Sequence, residues 1–130
     1  MSSIGKILHK KRVLVIHHIC DFSDCDEALL QKPGQFGKCM ISLLSEYGYE
    51  ISKNTILDEK DNLKTGCVFF DQGSQIIFQL WPKMGFLSLN ITLDIDSFPM
   101  KKFLNSVKAK VQASSVENKK ILRGPSILGF

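Results

Sequence analysis

The hydrophobic pattern is most regular between residues 66 and 95, where three apolar runs are separated by two short breaks. In the last run, polar residues alternate with Leu87, Leu89, Ile91, Leu93 and Ile95. A period of two predicts a strand with one buried face. Both breaks, at 71–74 and 82–85, contain a Gly, and the second also contains a Pro, as is typical of hairpin loops. The segment is therefore predicted to be a β-meander of three strands.

The registers of the two hairpins decide which side chains share a face of this meander. We expect Phe70 to pair with Gln75, and Trp81 with Phe86. The face toward the helices is then predicted to contain Cys67, Phe69, Ile76, Phe78, Leu80, Leu87, Leu89 and Ile91. The opposite face would contain Val68, Phe70, Ile77, Gln79, Trp81, Phe86, Ser88 and Asn90. A shift of one residue would exchange the two sets within a strand.

Two helices and two further strands are predicted outside the meander. Helical spacing relates Phe36, Met40, Leu43, Leu44 and Tyr47 between about Gly34 and Gly48, and Met100, Phe103, Leu104, Val107 and Val111 after Pro99. Strands are predicted at 13–19 and 49–57, a loop from 20 with one helical turn at 27–31, and an exposed loop at 58–65. This order predicts an α+β two-layer sandwich, a mostly antiparallel sheet with both helices on one face.

The length of 130 residues and the absence of a long spacer favour a single domain. We expect a flexible terminus at 1–11, the sandwich domain at 12–115, and a linker at 116–130 toward a further domain. No apolar run approaches the ~20 residues needed to span a bilayer, and the start lacks a signal-peptide cleavage site. A cytoplasmic location without a membrane partner is therefore predicted, with reduced cysteines.

The candidate chemistry outside the meander is sparse. His17, His18, Cys20 and Cys25 form the most metal-like cluster, but adjacent strand residues point to opposite faces, so no metal site is expected. No paired carboxylates, phosphate-binding loop or Ser/His/Asp pattern is present. The net charge of +4 is not accompanied by interleaved aromatic residues, so nucleic acid is not an expected partner.

Gly73 and Ser74 are the one pair at which chemistry is conceivable. A serine in a tight hairpin is expected to be exposed, and backbone strain there could promote an N-to-O acyl shift. The alternative is an ordinary turn serine.

Residues 66–91, GCVFFDQGSQIIFQLWPKMGFLSLNI, resemble the central strands of S-adenosylmethionine decarboxylases. In that family, a Glu-Ser pair in the matching hairpin cleaves itself and leaves a pyruvoyl group. Ser74 and Trp81-Pro82 match, whereas Gly73 stands for the Glu, Gln75 and Gln79 for histidines, and Asp94 for a Cys. A Gln cannot transfer protons near neutral pH as a His does. The resemblance thus implies the decarboxylase fold without catalytic residues or a pyruvoyl cofactor, and makes Gly73-Ser74 a vestigial processing site.

The chain also resembles the amino-terminal domain of animal-type spermine synthases. The similarity covers the turn at 80–85, the strand ending at Asp94, the helix FLNSVKAKVQ and the exit KKILRGPSILGF. It implies a dimerisation domain followed by an aminopropyltransferase domain, which makes spermine from spermidine and decarboxylated S-adenosylmethionine.

The predicted partner is therefore a second copy of the chain, bound through the sheet face opposite the helices. The predicted interface consists of Val68, Phe70, Ile77, Gln79, Trp81, Phe86 and Ser88. Two alternatives stay open: a divergent pyruvoyl-dependent decarboxylase processed at Ser74, and a ligand-binding regulatory module on the same fold.

Overall fold

The computed structural model describes residues 15–71, 73–94 and 97–123. The elements, in chain order, are β1 (Val15–Ser23), α1 (Pro33–Glu46), β2 (Ile51–Glu59), β3 (Lys64–Phe70), β4 (Ser74–Trp81), β5 (Phe86–Leu93), α2 (Met100–Val111) and β6 (Ser115–Arg123). Short 3-10 turns lie at Ala28–Leu30 and Pro82–Met84. The strands form one sheet in the order β2-β3-β4-β5-β1-β6, and every neighbouring pair is antiparallel. The predicted α+β sandwich, with both helices on one face, is confirmed.

The core lies between the sheet and the two amphipathic helices. Each helix presents one apolar stripe: Phe36, Met40 and Leu44 in α1, and Phe103, Leu104, Val107 and Val111 in α2. The alternating strands β4 and β5 contribute the buried residues Ile76, Phe78, Leu80, Leu87, Leu89 and Ile91 to the same cluster. All six were predicted to face the helices, because they form the more consistently apolar of the two alternating sets in these strands.

Local sequence signals set the ends of both helices. Pro33 occupies the first position of α1, where its missing N–H would have had no partner within the helix. Gly48 follows α1 at φ +90, a conformation that glycine adopts without steric cost. The predicted helical turn at 27–31 is present as the 3-10 turn Ala28–Leu30.

The predicted faces of β3 were wrong. Phe70 pairs with Ser74 and Val68 with Ile76, so Val68 and Phe70 point toward the helices and are fully buried. Cys67 and Phe69 accordingly lie on the opposite face. The loop contains the three residues 71–73, and Asp71 takes a left-handed φ of +49, so the register differs by one residue from the predicted pairing. The predicted pairing of Trp81 with Phe86 is confirmed.

The predicted end of the domain at residue 115 was also wrong. Ser115–Arg123 form β6, which pairs with β1 along its whole length and makes an edge of the sheet. The exposed loop predicted at 58–65 is shorter, because β2 extends to Glu59 and β3 begins at Lys64. The predicted terminus at 1–11 and the remainder of the linker at 124–130 lie outside the described residues. Within the part of the chain that is described, no helix has the length and apolar character to cross a membrane.

Candidate functional site

The hairpin between β3 and β4 contains the predicted processing pair. Ser74 is the first residue of β4, and it alternates with Ile76 and Phe78 toward the helices. It is only 1% exposed, which differs from the exposed turn serine that the sequence suggested. Its Oγ accepts a hydrogen bond from the backbone N–H of Asp94 at 3.1 Å. Ser74 therefore ties the start of β4 to the end of β5.

Gly73 lies against the side chain of Asp94. A Cβ on Gly73 would overlap Asp94 Oδ2, and it would come within 2.9 Å of Asp94 Cγ and 3.1 Å of Asp94 Cβ. Real Cβ atoms essentially never come within 3.0 Å of another heavy atom, so a residue other than glycine would displace the exposed side chain of Asp94. The position that precedes the serine is thus in contact with the residue that follows the next strand.

The sheet face opposite the helices, called here the open face, has a polar row beside this hairpin. Thr92 is the cross-strand partner of both His17 and Gln75. Thr92 Oγ1 lies 2.9 Å from His17 Nε2, within hydrogen-bond distance. His17 therefore points to the open face, whereas Ser74 points to the helices. The row brings an imidazole near the hairpin, but the sheet separates it from the serine hydroxyl.

The predicted interface residues divide between the two faces of the sheet. Ile77, Gln79, Trp81, Phe86 and Ser88 lie on the open face as expected, and Val68 and Phe70 lie in the core. The rings of Trp81 and Phe86 pack against each other with centroids 5.5 Å apart. Cys67 and Phe69 take the places in β3 that were expected for Val68 and Phe70. The open face is thus a mixed surface of apolar and amide side chains.

The buried thiols are poor candidates for nucleophilic chemistry. Burial, with the nearby charge of Asp21, raises the pKa of Cys20 to about 12. Burial also raises the pKa of Cys25 to about 11, and Asp24 adds to the effect. Because the thiolate is the reactive form, both groups are protonated and unreactive near neutral pH.

The two histidines of the metal-like cluster lie on opposite faces of the sheet. His17 points to the open face, and His18 points to the helix side, where its Nδ1 lies 3.0 Å from Asn118 Oδ1. Cys20 donates a longer contact to the same amide oxygen at 3.5 Å. Within the described ranges, no group of three or more His, Cys, Asp or Glu side chains is arranged to hold a metal ion.

Sequence reasoning missed the two contacts that organise the hairpin. Asp94 was noted as the end of a strand and as the residue in place of a cysteine, and its packing against Gly73 depends on how β4 and β5 are aligned. The contact between His17 and Thr92 joins residues 75 positions apart. The alternation that ends at Asp94 could have indicated its position, but no sequence signal pointed to the orientation of its carboxylate.

An antiparallel six-stranded sheet with two helices on one face is the fold of an S-adenosylmethionine decarboxylase. The crystal structure of the adenosylmethionine decarboxylase from Aquifex aeolicus superimposes with a TM-score of 0.72 at 12% identity, covering 86% of this chain and 92% of that chain. Residues 16–124 match the S-adenosylmethionine decarboxylase family, and the chain belongs to that family. No curated protein sequence matches the chain.

Proposed function

We propose that this chain is a non-catalytic dimerisation domain of a spermine synthase, on a decarboxylase fold that lacks its chemistry. The contact between Gly73 and Asp94 is the observation that supports the non-catalytic role most directly. The family resemblance requires a Glu at position 73, and the exposed side chain of Asp94 would have to move to admit the Cβ of that Glu. The present arrangement of the hairpin therefore favours glycine at the position that precedes the serine.

Self-processing would require the Oγ of Ser74 to attack the carbonyl carbon of Gly73 while a base takes the hydroxyl proton. This Oγ accepts a hydrogen bond from the backbone N–H of Asp94, and no His or Cys side chain among the described residues bonds to it. The family positions for proton transfer are Gln75 and Gln79, and both side chains lie on the open face. These residues do not fit the formation of a pyruvoyl group, and we expect no cofactor.

The dimerisation role rests on the open face. Both helices pack on the other side of the sheet, so Ile77, Trp81 and Phe86 remain partly accessible together with Phe69, which is 38% exposed. Exposed apolar patches of this kind mark protein interfaces, and a mixture of aromatic and amide groups is common in them. A second copy would cover this patch through a two-fold contact. The parent chain would continue into an aminopropyltransferase domain and act in the cytoplasm, with neither nucleic acid nor a membrane as its partner.

The dimer is tested by light scattering on the purified chain and on Ile77→Asp. The substitution places one charge in each copy of the proposed interface, and we expect a folded monomer. Leu57→Asp is the matched control, because Leu57 is already 57% exposed on the edge strand β2. If Leu57→Asp separates the copies and Ile77→Asp does not, the contact lies at the sheet edge instead of the open face.

A divergent decarboxylase is the second candidate, favoured by the family match and by the retained Ser74. The two candidate functions predict different covalent structures for the purified chain. Intact-mass measurement of freshly purified chain distinguishes them: cleavage before Ser74 gives two fragments and a pyruvoyl end, whereas the proposed domain remains one full-length species.

The row of His17, Thr92 and Gln75 on the open face supports the third candidate, a ligand-binding module. A polar ligand bound there would compete with the second copy for the same surface. Dimerisation that weakens in the presence of a polyamine or an adenosyl compound would favour this function over the purely structural one.

A further inference from the structure

Charge is strongly segregated along this chain. Between residues 97 and 123 there are seven Lys or Arg residues and a single acid, Glu117, whereas residues 15–94 contain six basic and eleven acidic residues. The basic segment comprises α2 and β6, which are in contact. One flank of the folded domain is therefore basic, although the body of the domain is acidic.

The helix side of β6 is partly covered at its start, where Val116 packs against the core, and is exposed at its far end, at Leu122. Helices pack about 10 Å apart and strands lie about 4.8 Å apart, so two helices cover about four of the six strands. The register places Val116, Asn118, Lys120 and Leu122 on this side, as partners of Phe22, Cys20, His18 and Ile16. Leu122 is 60% exposed although its neighbours on β1 are partly or fully buried. We call this strip, with the adjoining flank of α2, the β6 groove.

The flank of α2 that borders the β6 groove is basic. The Nζ atom of Lys102 lies 5.3 Å from the centroid of the Tyr47 ring, at the end of α1. This side of α2 therefore faces α1. The buried stripe points to the sheet. At 100° per residue, Lys101 and Lys108 fall on the side of the stripe opposite Lys102, and this side faces β6. These lysines and Lys120 thus border the groove from two elements.

No acidic side chain of the basic segment enters the β6 groove. Glu117 is the cross-strand partner of Asp21 and therefore points to the open face. The polar groups on the floor are already paired, because His18 Nδ1 lies 3.0 Å from Asn118 Oδ1 and Cys20 contacts the same oxygen. What remains available is an aliphatic floor at Leu122 and a border of lysine ammonium groups.

We propose that the β6 groove docks an acidic amphipathic segment of a partner protein, with its apolar side chains on Leu122 and its carboxylates on Lys101, Lys108 and Lys120. Residues 1–14 contain four basic residues and no acid, so their charge opposes this site. The aliphatic floor favours a peptide over single-stranded nucleic acid, because bases are bound by stacking on aromatic side chains. The site is separate from the open face, so it does not depend on the proposed dimer.

The test uses the whole chain and a fluorescein-labelled helical peptide of 16 residues, with Leu on one face and Glu on the other. Two control peptides separate the contributions: one has the Leu replaced by Ser, and the other has the Glu replaced by Lys. Binding is measured by fluorescence anisotropy at two salt concentrations. We expect the Leu/Glu peptide to bind at least tenfold more tightly than either control, and more weakly at high salt.

The site is located with chain variants. Lys108→Glu/Lys120→Glu and Leu122→Ser should each weaken binding about tenfold or more, with unchanged circular dichroism. Lys53→Glu/Lys83→Glu is the matched control, because both lysines are exposed and lie outside α2 and β6. An equal loss of affinity in the control variant would mean that binding depends on net charge alone. Equal binding of the peptide with Ser in place of Leu would mean that the chain attracts any polyanion. Tighter binding after removal of residues 124–130 would show that the chain's own tail fills the groove. Each of these three results overturns the proposal.

Discussion

The ring of Phe78 covers Gly66, its cross-strand partner in the hairpin of β3 and β4. A Cβ on Gly66 would overlap Phe78 Cζ and would lie 2.7 Å from Phe78 Cε1. The ring also packs edge-on against Phe36 of α1, with centroids 4.9 Å apart. The glycine therefore makes room for an aromatic side chain that joins the sheet to a helix.

Gly66→Ala should lower the free energy of unfolding by about 1–3 kcal/mol, because the added methyl group overpacks a filled core. Gly34→Ala is the control, since a Cβ at that position of α1 meets nothing within 4 Å. It should be neutral or stabilising by up to about 1 kcal/mol, as expected for Gly→Ala in a helix. Urea unfolding measures both, and equal midpoints for the two variants would contradict the contact between Gly66 and Phe78.

Phe69 and Phe70 provide a direct test of the β3 register. Phe70 is fully buried and packs near Tyr49 and Phe98, with centroids 5.6 and 6.0 Å away, whereas Phe69 is 38% exposed on the open face. Phe70→Ala should therefore cost about 3–5 kcal/mol through the cavity it leaves. Phe69→Ala should cost much less and should instead weaken self-association. If Phe69→Ala lowered the thermal midpoint more than Phe70→Ala, the register expected from the sequence would be the correct one.

The contrast between the two hairpins shows what the sequence could and could not predict. At the second hairpin, Gly85 takes φ +57 and the strict alternation of β5 allows only one register, so the pairing of Trp81 with Phe86 was predictable. At the first, β3 is apolar on both faces at Cys67, Val68, Phe69 and Phe70, so the pattern could not choose between registers. The left-handed Asp71 then decided the length of the loop.

The strand β6 shows a second limit of sequence reasoning. Its sequence, SVENKKILR, has no sustained alternation, and all nine of its residues are at least partly exposed. It becomes a strand because β1 offers an unpaired edge, which is a tertiary effect. Prediction of the chemistry at residues 73–74 was limited in the same way, because Asp94, which contacts Gly73, comes from the end of β5.

Cys20 should make stability depend on pH in the alkaline range. Its pKa is about 12 in the folded chain and about 9.0 when unfolded. Both states keep the proton below pH 9, so Cys20 adds no pH dependence there. Above pH 9 the unfolded state loses the proton and the folded state keeps it, so stability falls by up to about 1.4 kcal/mol per pH unit.

The measurement is the free energy of unfolding in urea between pH 8 and pH 11. Cys20→Ala should show a shallower alkaline decline than the unmodified chain, even if its stability at pH 8 is lower. Cys39→Ala, at a half-buried position, serves as the control and should keep the slope. An unchanged slope in Cys20→Ala would mean that the thiol is accessible to solvent.

Ser74→Ala tests whether the serine is structural or reactive. Its Oγ accepts one hydrogen bond from the N–H of Asp94, and that donor loses its partner in the variant. We expect a loss of about 1–3 kcal/mol in stability and the same intact mass, apart from the substitution itself. A processing event that occurs in the unmodified chain and disappears in Ser74→Ala would establish the decarboxylase chemistry instead.

Gly73 and Asp94 should show energetic coupling, because the carboxylate of Asp94 occupies the space that a side chain on Gly73 needs. Gly73→Ala should destabilise the chain, and it should do so by less when Asp94 is also replaced by Ala, since the obstruction is then removed. Residues in direct contact typically show coupling energies of about 0.5–3 kcal/mol. Urea unfolding of the two single variants and the double variant gives this coupling. Gly73→Glu in both backgrounds extends the same test to function: without a base beside Ser74, neither should cleave itself, and intact mass should show one species. Additive effects of Gly73→Ala and Asp94→Ala would mean that the carboxylate does not restrict residue 73, and the argument for a hairpin closed to the family's Glu would then fail.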